Sequence, residues 1–323
     1  MSKIPALSLK LRTNFRNDGD QFMQRINMLT FLIALICATA ALGQPENLQR
    51  LRTQTAAKLA EVAGRTDGVL GLSVLDLIDG ERFGINDSLT FPQASAIKIP
   101  ILMEVYKQAG AGKIKLADKL WVGRSYQVGG SGILGELGDG ESQFSIRDLC
   151  ILMIVLSDNT ATNMLIDLVG MENVNRTLVA LGLNHTKLRR KMMDSAARAR
   201  GDENISTPHE ANRIMEILYK GEFISRDVCE QMLDILKKPK AGAINAAAPE
   251  SVPVAFKSGD LPGVATEWAI VFLKERPYIL VTMGNYGSEK TLQNTIREIS
   301  QIIYDYYWRL ARASQYGTYI YPD

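Results

Sequence analysis

Histidine is nearly absent from this chain, and cysteine is scarce. Two histidines, His185 and His209, lie far apart in 323 residues, which excludes a zinc hydrolase built on several imidazole ligands. No metal and no cofactor is implied. Of the three cysteines, Cys37 falls inside an apolar N-terminal run. Cys150 and Cys229 sit in apolar helical patterns without metal-site spacing, so both are expected as buried free thiols. Charge of one sign is also missing. A net charge of +2, with no basic run interleaved with aromatics, excludes a nucleic-acid partner. There is no internal repeat, low-complexity tract or linker, so one large domain is expected after the N-terminus.

The one unusual stretch is the start. Met28 to Leu42 is a short apolar run preceded by Arg25 and followed by Gly43-Gln44-Pro45. It reads as a secretory signal ending near Ala41 to Gln44, because a comfortable membrane span needs about 20 apolar residues. The expected division is therefore 1–43 as export segment and 44–323 as one catalytic domain in a secreted or periplasmic, monomeric protein. The membrane would be touched only through the N-terminal segment if it is not removed. Ile36 is too bulky for the lipoprotein reading that Cys37 otherwise invites.

Beyond that segment the periodicities alternate. A helix is expected over Glu46 to Ala63, then strands at Gly68 to Ile78 and Arg82 to Ile85, joined at Asp79-Gly80. A helical middle follows: a helix opening near Ser95 and running to Ala109, one over Ile146 to Leu156 that looks buried all round, then Ala161 to Val169, Asn173 to Leu181, Thr207 to Lys220 and Ser225 to Leu236. Between Leu116 and Glu141 lies a glycine-rich loop, and Lys187 to Ser206 reads as an irregular, solvated basic face. Strand patterns return at Val252 to Phe256, Ala265 to Leu273 and Tyr278 to Met283, before a final helix over Glu289 to Ala311. Two strands before and three after the helices predict an α/β (α+β) fold. It has a five-stranded antiparallel sheet, with the N- and C-terminal helices on one face and the helical block inserted between strands 2 and 3 on the other. The sheet part is 44–92 and 250–312, and the helical part 93–249.

Three short stretches carry chemistry. Ser95-Ala96-Ile97-Lys98 places a hydroxyl and an amine one helical turn apart, and apolar neighbours Ile97, Ile99 and Leu102 can desolvate the amine until it accepts a proton. Read blandly, the same spacing is a helix cap with a solvated lysine. Ser157-Asp158-Asn159 ends an apolar helix, where three polar side chains demand partners as a structural node or as part of a site. Lys257-Ser258-Gly259 closes a strand.

In this order, Ser95-Ala96-Ile97-Lys98, Ser157-Asp158-Asn159 and Lys257-Ser258-Gly259 resemble the three signature motifs of the class A β-lactamase and penicillin-binding protein superfamily. The resemblance covers about Glu46 to Ala311. It implies that Ser95 attacks a carbonyl, that Lys98 helps take its proton, and that Ser157 relays a proton to the leaving nitrogen. Asn159 would hold a substrate amide, and Lys257 and Ser258 the substrate carboxylate. Gly259 would admit substrate along the strand edge, and the backbone N–H groups of Ser95 and Asp260 would form the oxyanion hole. The implied reaction is hydrolysis of a β-lactam amide. A D-Ala-D-Ala peptidase acting on peptidoglycan-like substrates, or a penicillin-binding sensor that stays acylated, are the alternatives. They arise because the glutamate that activates the deacylating water in class A enzymes falls near Met192-Met193. Asp194 is the nearest carboxylate, and Glu203 lies further along. The position that would pair with Cys150 in a disulfide is Leu102, so that bridge is expected to be absent.

Overall fold

The computed structural model describes residues 46–137, 140–314 and 316–320. The expected export segment lies outside them. Helix α1 (Glu46–Gly64) precedes the hairpin β1 (Val69–Asp76) and β2 (Arg82–Ile85), which turns at Asp79-Gly80 with Gly80 at φ +79°. Strand β3 (Phe91–Pro92) leads into a tight 3-10 turn, Ala94–Ile97, and then α2 (Lys98–Gly110). The helical block continues with β4 (Lys119–Trp121), β5 (Gln143–Ser145), α3 (Ile146–Val155), α4 (Asn159–Val169) and α5 (Met171–Ala180). After it come α6 (Ser195–Ala199), β6 (Ile205–Ser206), α7 (Pro208–Lys220) and α8 (Arg226–Leu236). Strands β7 (Val254–Leu261), β8 (Val264–Val271) and β9 (Tyr278–Asn285) and helix α9 (Glu289–Arg312) complete the chain.

The sheet is five-stranded and antiparallel, in the order β2-β1-β9-β8-β7. Alternation along β9 assigns its faces. Tyr278 stacks on Tyr307 of α9 with ring centroids 4.6 Å apart, and a Cβ on Gly284 would meet Leu292 of the same helix. Met283, one residue away, points the other way, toward Gln93. Its cross-strand partner Gly71 leaves room for Phe91 and for Pro208 at the start of α7. One face therefore belongs to the terminal helix and the other to the helical block. That leaves β7 at an edge with one row of backbone groups unpaired by the sheet.

Several local expectations change. Ser95 is not on an α-helix. It sits in the 3-10 turn, and α2 begins only at Lys98. Ala94 has φ +43°, a conformation that interrupts regular helix before Ser95. Pro100 falls within the first turn of α2, where its missing N–H costs nothing. The third motif lies inside β7 and does not end it: pairing with β8 runs unbroken from Val254↔Val271 to Leu261↔Val264. Pro262-Gly263 makes the reversal, with Gly263 at φ +82°. Gly259 and Asp260 are poor strand formers in isolation, and the ladder overrides that preference. Helix α3 is not buried all round either. Met153 and Ile154 are buried, Ile151 and Leu152 are half-buried, and Leu156 just beyond it is exposed. Cys150 and Cys229 are buried free thiols.

Candidate active site

The turn carrying Ser95 is held from below by one side chain. Gln93 is fully buried: its Nε2 donates to Phe91 O at 2.8 Å, and its Oε1 accepts from Trp268 Nε1 at 2.9 Å. Its backbone N–H donates to Asn204 O at 2.8 Å. Ser95 is thereby fixed against β8 and against the segment before α7. Gly259 of β7 closes on the turn from the side. A Cβ there would lie 2.6 Å from Gln93 O and Ser95 N and 2.8 Å from Ala96 N, so only glycine lets the edge strand pass this close.

Lys98 shows no solvent exposure, which removes the reading of a solvated lysine. Its Nζ lies 3.0 Å from Ser95 Oγ, 3.0 Å from Ser157 Oγ, 2.7 Å from Ser157 O and 3.0 Å from Asn159 Oδ1. The carbonyl and the amide oxygen can only accept, and they take two N–H bonds. What remains on a neutral amine is a lone pair facing two hydroxyls. Burial pushes the amine well below its ordinary 10.5, the charge of Lys257 pushes it further, and Asp158 opposes. A neutral amine so placed is able to accept a proton from either serine.

The second motif is both a site and a brace. Ser157 adopts φ +53°, which turns its carbonyl and its hydroxyl toward Lys98. Asp158 caps α4 through Ala161 N–H at 2.8 Å, and its other oxygen accepts from Ile133 N at 2.6 Å and Leu134 N at 2.8 Å. Gly132, at φ +112°, approaches so closely that a Cβ would lie 2.3 Å from that carboxylate oxygen. Asn159 Nδ2 donates to Gly129 O at 3.1 Å. The glycine-rich loop is thus laced to the end of α3 by one buried carboxylate. Removing it in Asp158→Ala orphans three N–H groups, and is expected to lower unfolding free energy by about 3 kcal/mol or more. Denaturant titration reads this directly, and a loss below about 1 kcal/mol would show that the loop is held by other contacts.

Lys257 is buried, and its Nζ donates to Ser258 O at 2.6 Å. Burial pulls it down to about 8, against the fields of Asp260 and Glu267. The structure does not bring Ser258 to the same place. Lys257 and Ser258 alternate along β7, and Ser258 borders a second cavity of about 430 Å³ behind the strand, as do Asp260 and Glu267.

The cleft over Ser95 has a volume of about 260 Å³, with Asn159, Asp260, Met192, Met193 and Asp194 among its walls. Asn163, which the sequence reading passed over, sets its far side: Nδ2 donates to Met192 O at 3.1 Å, and Oδ1 accepts from Met192 N at 2.8 Å. It lies four residues after Asn159 on α4, and that i,i+4 spacing was the available signal. Met192 is buried, and Met193 is exposed with φ +61°. Asp194 caps α6 through Ala197 N at 2.9 Å. Glu203 is engaged elsewhere, by Arg190 at 2.8 Å and Arg198 at 3.4 Å. Much of the basic segment is therefore paired: Arg189 and Arg200 meet Asp202, and Lys191 meets Asp167.

A sequence profile of the beta-lactamase enzyme family matches residues 54–307. The chain belongs to that family. It is 24% identical over 291 residues to β-lactamase SME-1 of Serratia marcescens, covering 86% of this chain and 97% of that one. A Citrobacter koseri β-lactamase is 26% identical over 261 residues, covering 78% and 88%. Among solved structures, a β-lactamase from Sphaerobacter thermophilus superposes with TM-score 0.72 at 30% identity, over 78% of this chain and 95% of that one. PBP-A superposes with TM-score 0.72 at 25% identity, with the same coverage. The family member described here is a class A β-lactamase-like serine hydrolase.

Proposed function

We propose that this hydrolase opens the β-lactam amide through an acyl-enzyme on Ser95. The observation that carries the reading is the Lys98 amine, 3.0 Å from both Ser95 Oγ and Ser157 Oγ. Lys98 accepts the Ser95 proton as Oγ bonds to the carbonyl carbon. The Ser95 and Asp260 N–H groups receive the oxyanion, and Ser157 delivers a proton to the departing nitrogen as the C–N bond breaks. Asn159 holds the acyl-side amide, and the Lys257 ammonium attracts the substrate carboxylate; Ser258, which borders the cavity behind β7, takes no part in that contact. Asp194, the cleft carboxylate next to Met192 and Met193, is the base for the water that releases the acyl group. Glu203 is excluded from that role by its two arginines. The N-terminal run directs the protein out of the cytoplasm, and the intact mass of protein recovered outside it should lack residues 1 to about 43.

Incubation with a chromogenic cephalosporin, followed by absorbance and intact mass, tests the reading. Sustained turnover with a transient adduct is expected, and Ser95→Ala should show no adduct. Asp194→Asn should slow decay of the adduct by about 10²-fold or more, the usual contribution of a general base, while adduct formation is unchanged. No adduct and no hydrolysis in the wild type overturn the β-lactam reading, a permanent adduct overturns turnover, and normal decay in Asp194→Asn removes Asp194 from the mechanism.

A further inference from the structure

The cavity behind β7 is organised by a carboxylate that the mechanism above does not use. Glu267 of β8 is 2% exposed and stands opposite Ser258 in the β7–β8 ladder. Its two oxygens accept the backbone N–H of Ala243 at 2.8 Å and of Ile244 at 3.2 Å. Between Lys240 and these residues, Gly242 is pressed onto the sheet: a Cβ there would lie 2.3 Å from the Phe256 ring and 2.6 Å from Glu267 Oε1. At the other end of this strap, Lys240 Nζ sits 4.0 Å over the Phe256 ring. It donates to Leu236 O at 2.5 Å and Lys238 O at 3.0 Å. Phe256 and Ser258 share one face of β7, and Lys257 projects from the other. Glu267 thus lies between two amines, half-buried Lys240 on its own side of the strand and buried Lys257 across it.

Two backbone N–H groups can be satisfied by neutral acceptors, and burying a carboxylate for that purpose alone is costly. Burial raises Glu267 to about 7. Burial lowers Lys257 to about 8 and Lys240 to about 7, and the field of Glu267 opposes both shifts. Asp260 favours charged Lys257 and disfavours charged Glu267, Lys257 disfavours charged Lys98 and charged Lys240, and Arg297 of α9 lines the same cavity as Glu267.

We propose that Glu267 is a positioning residue for anionic substrates: it straps residues 241–244 against β7 and, by its negative charge across the strand, keeps the Lys257 ammonium charged to meet the substrate carboxylate. The inference rests on the role given to Lys257 above. Binding of a carboxylated substrate then needs Lys257 protonated, and Glu267, ionised above about pH 7, extends that state to higher pH. Affinity falls above about pH 8, where Lys257 loses its proton, and is kept below about pH 7, where Lys257 is charged whether or not Glu267 is ionised.

The direct test is the titration of Lys257 in full-length protein labelled with [ε-13C]lysine, its resonance assigned by its loss in Lys257→Met. In Glu267→Gln the Lys257 midpoint should move down by about one pH unit, because a nearby negative charge is gone. Should Glu267→Gln not fold, the coupling is read from its other side: in Lys257→Met the Glu267 carboxyl, followed with [δ-13C]glutamate, should move up by about one pH unit, because the ammonium that favours its charged form is gone. An unchanged midpoint in either variant overturns the proposal. Kinetics supply the second readout. At pH 8, Glu267→Gln should raise KM for a carboxylated chromogenic cephalosporin about fivefold with kcat little changed. Acylation by p-nitrophenyl acetate, which has no carboxylate, should stay within twofold. Equal losses on both substrates would mean the strap alone matters, and would overturn the electrostatic role. A wild type that reacts with the ester but not the cephalosporin would refute the β-lactam reading, and the NMR titration would still decide for or against Glu267.

Discussion

Lys98→Met is expected to slow acylation of Ser95 about a thousandfold or more, within the range that removal of a general base produces. The side chains are close in size, so the loss would be chemical. Stability is expected to change little, because two terms oppose. A buried, desolvated amine disappears, which is favourable. Ser157 O and Asn159 Oδ1 each lose a donor, which costs about 1–3 kcal/mol per buried acceptor left unpaired. Lys98→Arg separates base from mere charge, since a guanidinium does not lose its proton: it should be as slow as methionine, and near-normal acylation in it would sink the assignment of Lys98 as proton acceptor. The pH dependence has a definite sign. Lys98 lies well below its ordinary 10.5 in the folded protein, so the unfolded chain binds more protons between the folded value and 10.5. Stability contributed by this group therefore rises with pH across that window, and that part of the slope should vanish in Lys98→Met. Acylation should fall as pH drops through the folded value, because the lone pair that receives the serine proton is then occupied.

Gly259→Ala should cost acylation about 10² to 10³-fold without touching any side chain of the site. The added methyl would stand 2.6 Å from Ser95 N and Gln93 O, and both are backbone atoms of a turn that Gln93 pins to Trp268. Neither can swing aside, so β7 and the turn must separate by about an ångström, a displacement of the size that costs about 10²-fold when reacting groups are misplaced. The N–H pair assigned to the oxyanion would open at the same time. Overpacking should also lower stability by about 1–3 kcal/mol. Gly80→Ala is the control. It has open space around its Cβ but φ +79°, so it should lose about 1 kcal/mol of stability and no activity. Stopped-flow acylation and thermal melts on the two variants decide the matter. Normal acylation in Gly259→Ala would mean that the closeness of β7 to Ser95 is not needed.

Much of this protein was legible before its fold was known. Asp79-Gly80 announced the β1–β2 hairpin, and Thr207-Pro208 marked the start of α7, where Thr207 is the N-cap. The long amphipathic pattern of α9 also read correctly. Such signals are local: a turn needs particular φ values, a cap needs a short side-chain acceptor, and a half-buried helix needs a period near 3.6. The three motifs at Ser95–Lys98, Ser157–Asn159 and Lys257–Gly259 pointed to the chemistry through their resemblance, taken in order, to those of the class A β-lactamase and penicillin-binding protein superfamily.

What the sequence left open was everything set by contacts between distant segments. Lys98 and a surface lysine have the same neighbours in sequence, and only packing of α2, α4 and β7 around it removed the water. Gly259 and Asp260 looked like the end of a strand until β8 paired with them. Glu203 looked available until Arg190 and Arg198 closed on it, whereas Asp194, which caps α6 through Ala197 N–H, lines the cleft together with Ser95. Sequence by itself determined which groups this protein carries and the elements they ride on. Tertiary structure decided which of them are desolvated and which are already paired, because dielectric and partners are properties of the surroundings and not of the residue.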